Sequence, residues 1–162
     1  MSASYPVGSV YFYSGVVDNG MWVDGDDFIT KGGVVGILFD HYHPIHNDIV
    51  AHSATWMASY FVGPHGGFDF EGFVSCRDHD HHGPMEARLA YLDFMGMWDA
   101  DHFDETFIGF YGSKEDLAFD AKQNELNSVP HSIRRYIDFA KLADDLLIND
   151  YVMWYNYVFL NI

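Results

Sequence analysis

The stretch "DFAKLADDLLINDYVMWYNYVFL", residues 138–160, constrains the fold more than any other part of this chain. Phe139, Leu142, Ala143 and Leu146 fall at i, i+3, i+4 and i+7, the apolar spacing of one helix face. Asp138 stands where an N-cap belongs, with a side-chain oxygen able to accept from the first turn's backbone N–H groups. The aromatic-rich "YVMWYNYVFLNI" that follows reads as two strands around Tyr155-Asn156. A helix next to strands, with no regular βαβ alternation along the chain, argues for an α+β fold.

Upstream, "VYFYSGVVDNGMWVD" (residues 10–24) alternates aromatic and β-branched residues around an Asp-Asn-Gly turn, a hairpin signal. Residues 24–40 contain a short apolar run between turn residues, and its class is ambiguous. "NDIVAHSATWMASYFV" (residues 47–62) predicts a helix with Asn47 as N-cap, and "GPHGG" (residues 63–67) breaks it. "FDFEGFVSC" (residues 68–76) reads as a strand. After a loop, Pro84 suits the first turn of a helix with Met85, Leu89, Leu92 and Met95 on one face. Ser113 and Asp116 form a loose capping pattern for the helix after them, and Val129-Pro130 is extended or turn-like. The breaks divide the chain into units 1–65, 66–110 and 111–162, and 162 residues fit one ordinary domain or two to three very small ones.

About half of the chain is hydrophobic and 18% is aromatic, enough to bury a core. No apolar run approaches the roughly eighteen residues a membrane span needs, so no membrane partner is expected. "MSASYPVGSV" has neither a basic nor an apolar signal region, and the single Cys76 cannot form an internal disulfide. Both fit a reducing cytoplasm, with Cys76 expected to be a small buried side chain.

Charge is the outstanding departure: 24 Asp and Glu against 8 Lys and Arg, a net −16. Solubility of a small domain asks for a magnitude of only about 2–8, and excess charge destabilises the compact state by self-repulsion. Salt adaptation, cation binding or a basic partner would each give the charge a use; direct binding of nucleic acid is the use it argues against. The middle of the chain, residues 61–110, is the most acidic third, with 10 acids and 2 bases. The candidate working surface is Glu86, Asp93, Asp99, Asp101, Asp104, Glu105, Glu115, Asp116, Asp120 and Glu125. At about one charge per 1.7 Å of duplex DNA, 24 carboxylates match roughly 40 Å of it. Arg134 and Arg135 form the only adjacent basic pair and are expected to lie within reach of carboxylates, relieving repulsion.

"HYHPIH" (His41, His43, His46) and "HDHH" (His79, His81, His82) invite a metal reading. The first resembles the H-x-H-x-D-H signature of metallo-β-lactamase-like hydrolases, with Ile45 where the acid belongs. A metal-dependent hydrolase would use His41, His43 and His46 with Asp48 or Asp80, but neither cluster completes a ligand set, so no metal or other cofactor is expected. The chain has no nucleophile elbow, phosphate loop or dinucleotide fingerprint, and a non-enzymatic protein is expected. An acidic interaction protein without DNA mimicry is the remaining alternative.

"VPHSIRRYIDFAKLADDLLINDYVMWYNYVFLNI" (residues 129–162) resembles the C-terminal signature of the ArdA antirestriction family. The matching positions are Pro130, Tyr136-Ile137-Asp138-Phe139, Ala143-Asp144-Asp145-Leu146 and Tyr157-Val158-Phe159, with Asp144 where the family usually has Arg. "DETFIGFYGSKEDLAFDA" (residues 104–121) is similar to the family's acidic region through Phe107, Tyr111, Ser113, Glu115, Asp116 and Ala118. "SVYFYSGVVDNGMWVD" and "FDFEGF" resemble its opening strand and a central step. The resemblance implies an elongated chain of three small α/β units with an acidic surface, acting in the cytoplasm of a bacterial host. It implies that the chain mimics DNA in the DNA-binding groove of type I restriction-modification enzymes and blocks them without catalysis. It also implies a homodimer through the C-terminal part. Tyr151, Trp154, Tyr157 and Phe159 are the residues for that interface, or else for the unit's own core.

Overall fold

The alternating aromatic and β-branched residues near the N-terminus form an antiparallel hairpin, β1 (Ser9–Ser14) with β2 (Val17–Asp24). The computed structural model describes residues 9–14, 17–24, 49–54, 56–64, 67–79 and 83–162. The hairpin reverses between Ser14 and Val17, not at Asp18-Asn19-Gly20, which lies inside β2. There the register slips from Phe12 opposite Met21 to Ser14 opposite Val17. The permissive Asp-Asn-Gly stretch therefore serves an irregularity in the ladder instead of the turn, a use open to the same residue types.

The helix expected over residues 47–62 is corrected. Ile49–Ala54 is strand β3, antiparallel to β1, giving the order β2-β1-β3. A vacant edge on β1 outweighs weak local helix preference, since strand formation depends on the pairing on offer. Asn47 and the ambiguous run 25–40 lie outside the described residues. Only Trp56–Phe61 is helical, as a 3₁₀ turn that buries Met57, Ala58 and Phe61. At the expected breaker the chain doubles back: Gly63 N–H donates to Gly67 O at 2.7 Å, and Val62 bridges Phe68.

"FDFEGFVSC" is not a strand. Phe70–Arg77 is helix α1, started by Asp69, whose carboxylate accepts the N–H of Gly72 at 2.9 Å. A Cβ at Gly72 would displace the capping carboxylate of Asp69. Phe73 and Cys76, three apart, turn inward. Phe73 meets Phe61 and Phe68 at 5.5 Å between ring centres, and the Cys76 thiol lies 3.7 Å from the Met57 sulfur. Cys76 is thus the buried side chain the sequence predicts.

The chain divides into two compact units, residues 1–80 with 95–100, and residues 81–94 with 101–162. The second contains helices α2 (Met85–Met95) and α3 (Ala100–Thr106) and strand β4 (Phe107–Phe110). Helices α4 (Lys114–Ala121), α5 (Gln123–Ser128), α6 (His131–Arg134) and α7 (Phe139–Asn149) follow. The hairpin β5 (Tyr151–Trp154) and β6 (Tyr157–Leu160) comes last. The sheet is antiparallel in the order β4-β6-β5, so β4, from residues 66–110, shares a sheet with the strands of residues 111–162. The fold is α+β, helices with small antiparallel sheets. Among the described residues no helix is long and apolar enough to cross a membrane.

The C-terminal helix and hairpin form where the sequence places them. Asp138 accepts the Lys141 N–H at 3.0 Å, and Tyr155 (φ 47°) and Asn156 (φ 66°) both turn left-handed, as a two-residue turn of the favoured hand requires. Ser113 likewise caps α4, accepting from Asp116 N–H at 3.1 Å. Val129 is extended before Pro130.

Residues directly opposite on neighbouring strands share a face of the sheet. Phe107 and Phe159 face Tyr91 of α2 and Phe103 of α3, with ring centres 5.2 to 5.8 Å apart for the adjacent pairs. On the other face, Tyr151 packs with the cluster of Ala118, Ala143 and Leu146 that joins α4 to α7. The buried face of α2 also differs from expectation. Ala87, Arg88, Ala90, Tyr91 and Leu92 are buried, whereas Met85 and Leu89 are half-buried and Met95 is exposed. Small Ala87 and Ala90 let the helix approach closely and turn the Tyr91 ring inward, which a count of large aliphatics does not register.

Candidate functional site

Two helices of the second unit, α3 and α4, carry acids at both ends, and at their C-terminal ends this charge opposes the helix dipole. Asp101 and Glu105 are four apart on α3, and Asp116 and Asp120 four apart on α4; all four are exposed. Like charges at this spacing destabilise a helix by about 0.2–0.5 kcal/mol a pair. Asp101 and Asp116 lie in first turns, where the dipole favours an anion, but Glu105 and Asp120 lie in last turns, where it favours a cation. Neither helix has a basic residue in its last turn.

Several of the candidate acids have definite partners. Asp93 on α2 is exposed and accepts the indole N–H of Trp154 at 2.8 Å. Asp120 accepts the Tyr111 hydroxyl at 2.8 Å. Burial first, and then this hydrogen bond to a carboxylate, push the Tyr111 phenol up to about 12. Glu125 pairs with Lys122 at 3.2 Å. Its carboxyl is held below the usual range first by a backbone hydrogen bond within Glu125 itself and then by Lys122. Glu86, Asp104 and Glu115 are half-buried, while Asp101, Glu105 and Asp116 enter no ion pair among the described residues. Asp99 is exposed and belongs to the first unit; the other nine candidates belong to the second.

Besides the capping Asp138, three exposed acids of the second unit, Asp144, Asp145 and Asp150, lie outside the surface the sequence predicts. Asp144 pairs with Lys114 of α4 at 2.5 Å, and this contact raises the Lys114 pKa. Asp145 points its charge to solvent one position on, and Asp150 caps the end of α7. The signal was the adjacent Asp144-Asp145 on the polar side of the clearest helix, which the apolar periodicity of that helix overshadowed.

The basic pair does not do what the sequence predicts. Arg134 donates through Nε to Val129 O at 3.0 Å and through Nη2 to Asn127 O at 3.3 Å, so it ties carbonyls and not carboxylates. Arg135 donates to the Tyr136 hydroxyl at 2.9 Å and lies 4.8 Å from that ring's centre. Carbonyls freed where α5 ends need donors, and Arg134 supplies them.

Of the aromatic candidates, Phe159 is buried, Tyr151 and Tyr157 are half-buried, and Trp154 is 38% exposed. Trp154 packs against Phe94 and the strongly exposed Tyr155, with ring centres 5.8 and 5.9 Å away. His41, His43, His46, Asp48, Asp80, His81 and His82 lie outside the described residues. His79 meets Trp98 edge-on at 5.3 Å. Among the described residues no three His, Cys, Asp or Glu side chains are grouped as a metal site would need. Compared with protein-family models, with curated proteins and with solved structures, the chain matches none.

Proposed function

We propose that this chain is a DNA-mimic antirestriction protein, occupying the DNA-binding groove of a type I restriction-modification enzyme and blocking it without catalysis. The observation that carries the reading is the placement of acids on α3 and α4. Asp101, Glu105, Asp116 and Asp120 stand exposed in like-charged pairs, and the later member of each pair opposes its helix dipole. Local helix energetics disfavour that arrangement, and of the four only Asp120 has a side-chain partner among the described residues, Tyr111, which leaves carboxylates presented where a basic groove expects phosphates. The resemblance of residues 104–121 and 129–162 to the ArdA antirestriction family points the same way.

Attraction between exposed charges acts at long range and is screened by salt. The test is a DNA-cleavage assay with a type I restriction enzyme, titrating this protein, DNA and salt. Inhibition is expected at low salt, relieved by added DNA and weakened as salt rises. Combined replacement of Asp101, Glu105, Asp116 and Asp120 by the corresponding amides is expected to weaken it further. If neither this enzyme nor another DNA-binding protein loses DNA to the chain at low salt, the reading is wrong. The same reading places the protein in the bacterial cytoplasm as an elongated homodimer of three-unit chains, joined through the exposed Trp154 and Tyr155. Small-angle scattering and light scattering test that form.

A further inference from the structure

We propose that the cleft formed by α4, α5, α6 and α7 binds a small organic anion with an apolar, preferably aromatic, body. The cleft has a volume of about 410 Å³, within the range of small-molecule sites. Phe119, Leu126 and Phe139 supply its apolar walls, and His131, Ser132, Arg134 and Arg135 supply its polar rim. Phe119 is 53% exposed, and its ring centre lies 5.9 Å from that of Phe139 at a tilt of 55°. A flat apolar group entering there would cover aromatic surface now in water.

The rim is the unusual part. In a chain with 24 acids and 8 bases, Arg77, Lys114 and Lys122 are each held in an ion pair. Arg134 and Arg135, adjacent to one another, enter none among the described residues. The nearest carboxylates in sequence are engaged elsewhere, Glu125 with Lys122 and Asp138 with the first turn of α7. Arg134 is held by the carbonyls of Val129 and Asn127, while the exposed Arg135 donates to, and lies over the ring of, its exposed neighbour Tyr136. Nη1 of each has no hydrogen-bond partner among the described residues. Oriented cationic donors with spare N–H groups beside an apolar wall fit a carboxylate, sulfonate or phosphate carried on a hydrophobic body. Holding the donors before the ligand arrives lowers the ordering cost of binding.

The inference stands apart from the antirestriction reading, and its test does not involve DNA or a restriction enzyme. The full chain, labelled with ¹⁵N, is titrated with 4-phenylbutyrate and in parallel with the neutral 4-phenylbutyramide, which has the same body. The acid is expected to give saturable amide shifts at Phe119, Leu126, Ser132 and Arg135, with the amide about tenfold weaker. The exposed Arg135→Ala substitution is expected to cost the acid about tenfold in affinity and to leave the amide's binding unchanged. Equal binding of acid and amide, shifts scattered over the surface, or no saturation would each overturn the proposal. The comparison of acid with amide decides even if a variant fails to fold.

Discussion

The two faces of the β4-β6-β5 sheet are held by different means. On one, Tyr91, Phe103, Phe107 and Phe159 interlock as rings at edge-on, tilted and stacked angles. On the other, Ala118 and Ala143 bring α4 and α7 close together, and Leu146 fills beside them. Removing a ring deprives several other rings of their neighbour at once. Trimming Leu146 leaves a smaller void, bounded by two helices that can shift to close it. The contrast teaches that the aromatic face fixes geometry, whereas the aliphatic face depends on helices being well started and well aligned.

Four measurements can break or sharpen that contrast. Phe103→Ala is expected to destabilise the fold by about 3–5 kcal/mol, since Phe103 is wholly buried between Tyr91, Phe107 and Phe159. Denaturant unfolding reads this directly, and a loss smaller than that of Leu146→Ala would reverse the comparison. Leu146→Ala is expected to cost about 2–3 kcal/mol, the low end for a leucine, because a side closed by two helices can collapse. A larger loss, with exchange of the α7 amides unchanged, would show that this side is as rigid as the other.

Asp138→Ala is expected to cost about 1 kcal/mol, with Asp138→Asn recovering most of it, because the cap needs an oxygen and not a charge. The smallest effect appears only at high pH. The Tyr111 phenol is pushed up from 10.0 to about 12 by burial and then by Asp120, so the folded state keeps its proton longer than the unfolded chain. Its contribution is therefore fully present below pH 10 and is lost as pH rises through about 12. An absorbance titration should show a late-ionising tyrosine step, and Tyr111→Phe should reduce its amplitude by one tyrosine.

The regions that could be read from the sequence are those where local preference and tertiary packing agree. Asp138, the spacing of Phe139, Leu142, Ala143 and Leu146, and Asn156, which tolerates a left-handed backbone, each specify the structure they form. Residues 68–76 misled because Phe68 and Phe70, alternating with Asp69 and Glu71, look like a strand. The capping of Gly72 by Asp69, and the three-residue step from Phe73 to Cys76, decide for a helix. Residues 49–54 misled in the opposite sense, because the deciding partner is β1, some forty positions away. At the candidate surface, the excess of acids could be counted from the sequence. The pairing of Asp93 with Trp154, sixty-one positions apart, could not, because it is made only when the hairpin meets α2. Nor did spacing reveal that Arg134 would prefer the carbonyls at the end of α5 to any carboxylate.

Strand β6 occupies the middle of its sheet although it is made after both of its neighbours. Each of its edges is spoken for, by β4 from some fifty residues earlier and by β5 from just before it. During synthesis, therefore, α2, α3 and β4 emerge with their aromatic face uncovered and wait for Phe159 to arrive. The β4-β6-β5 sheet and its aromatic face are completed only once residues 157–160 have been made. Such a chain has a long interval in which apolar surface is bare, and the dense negative charge on α3 and α4 would then keep unfinished copies apart.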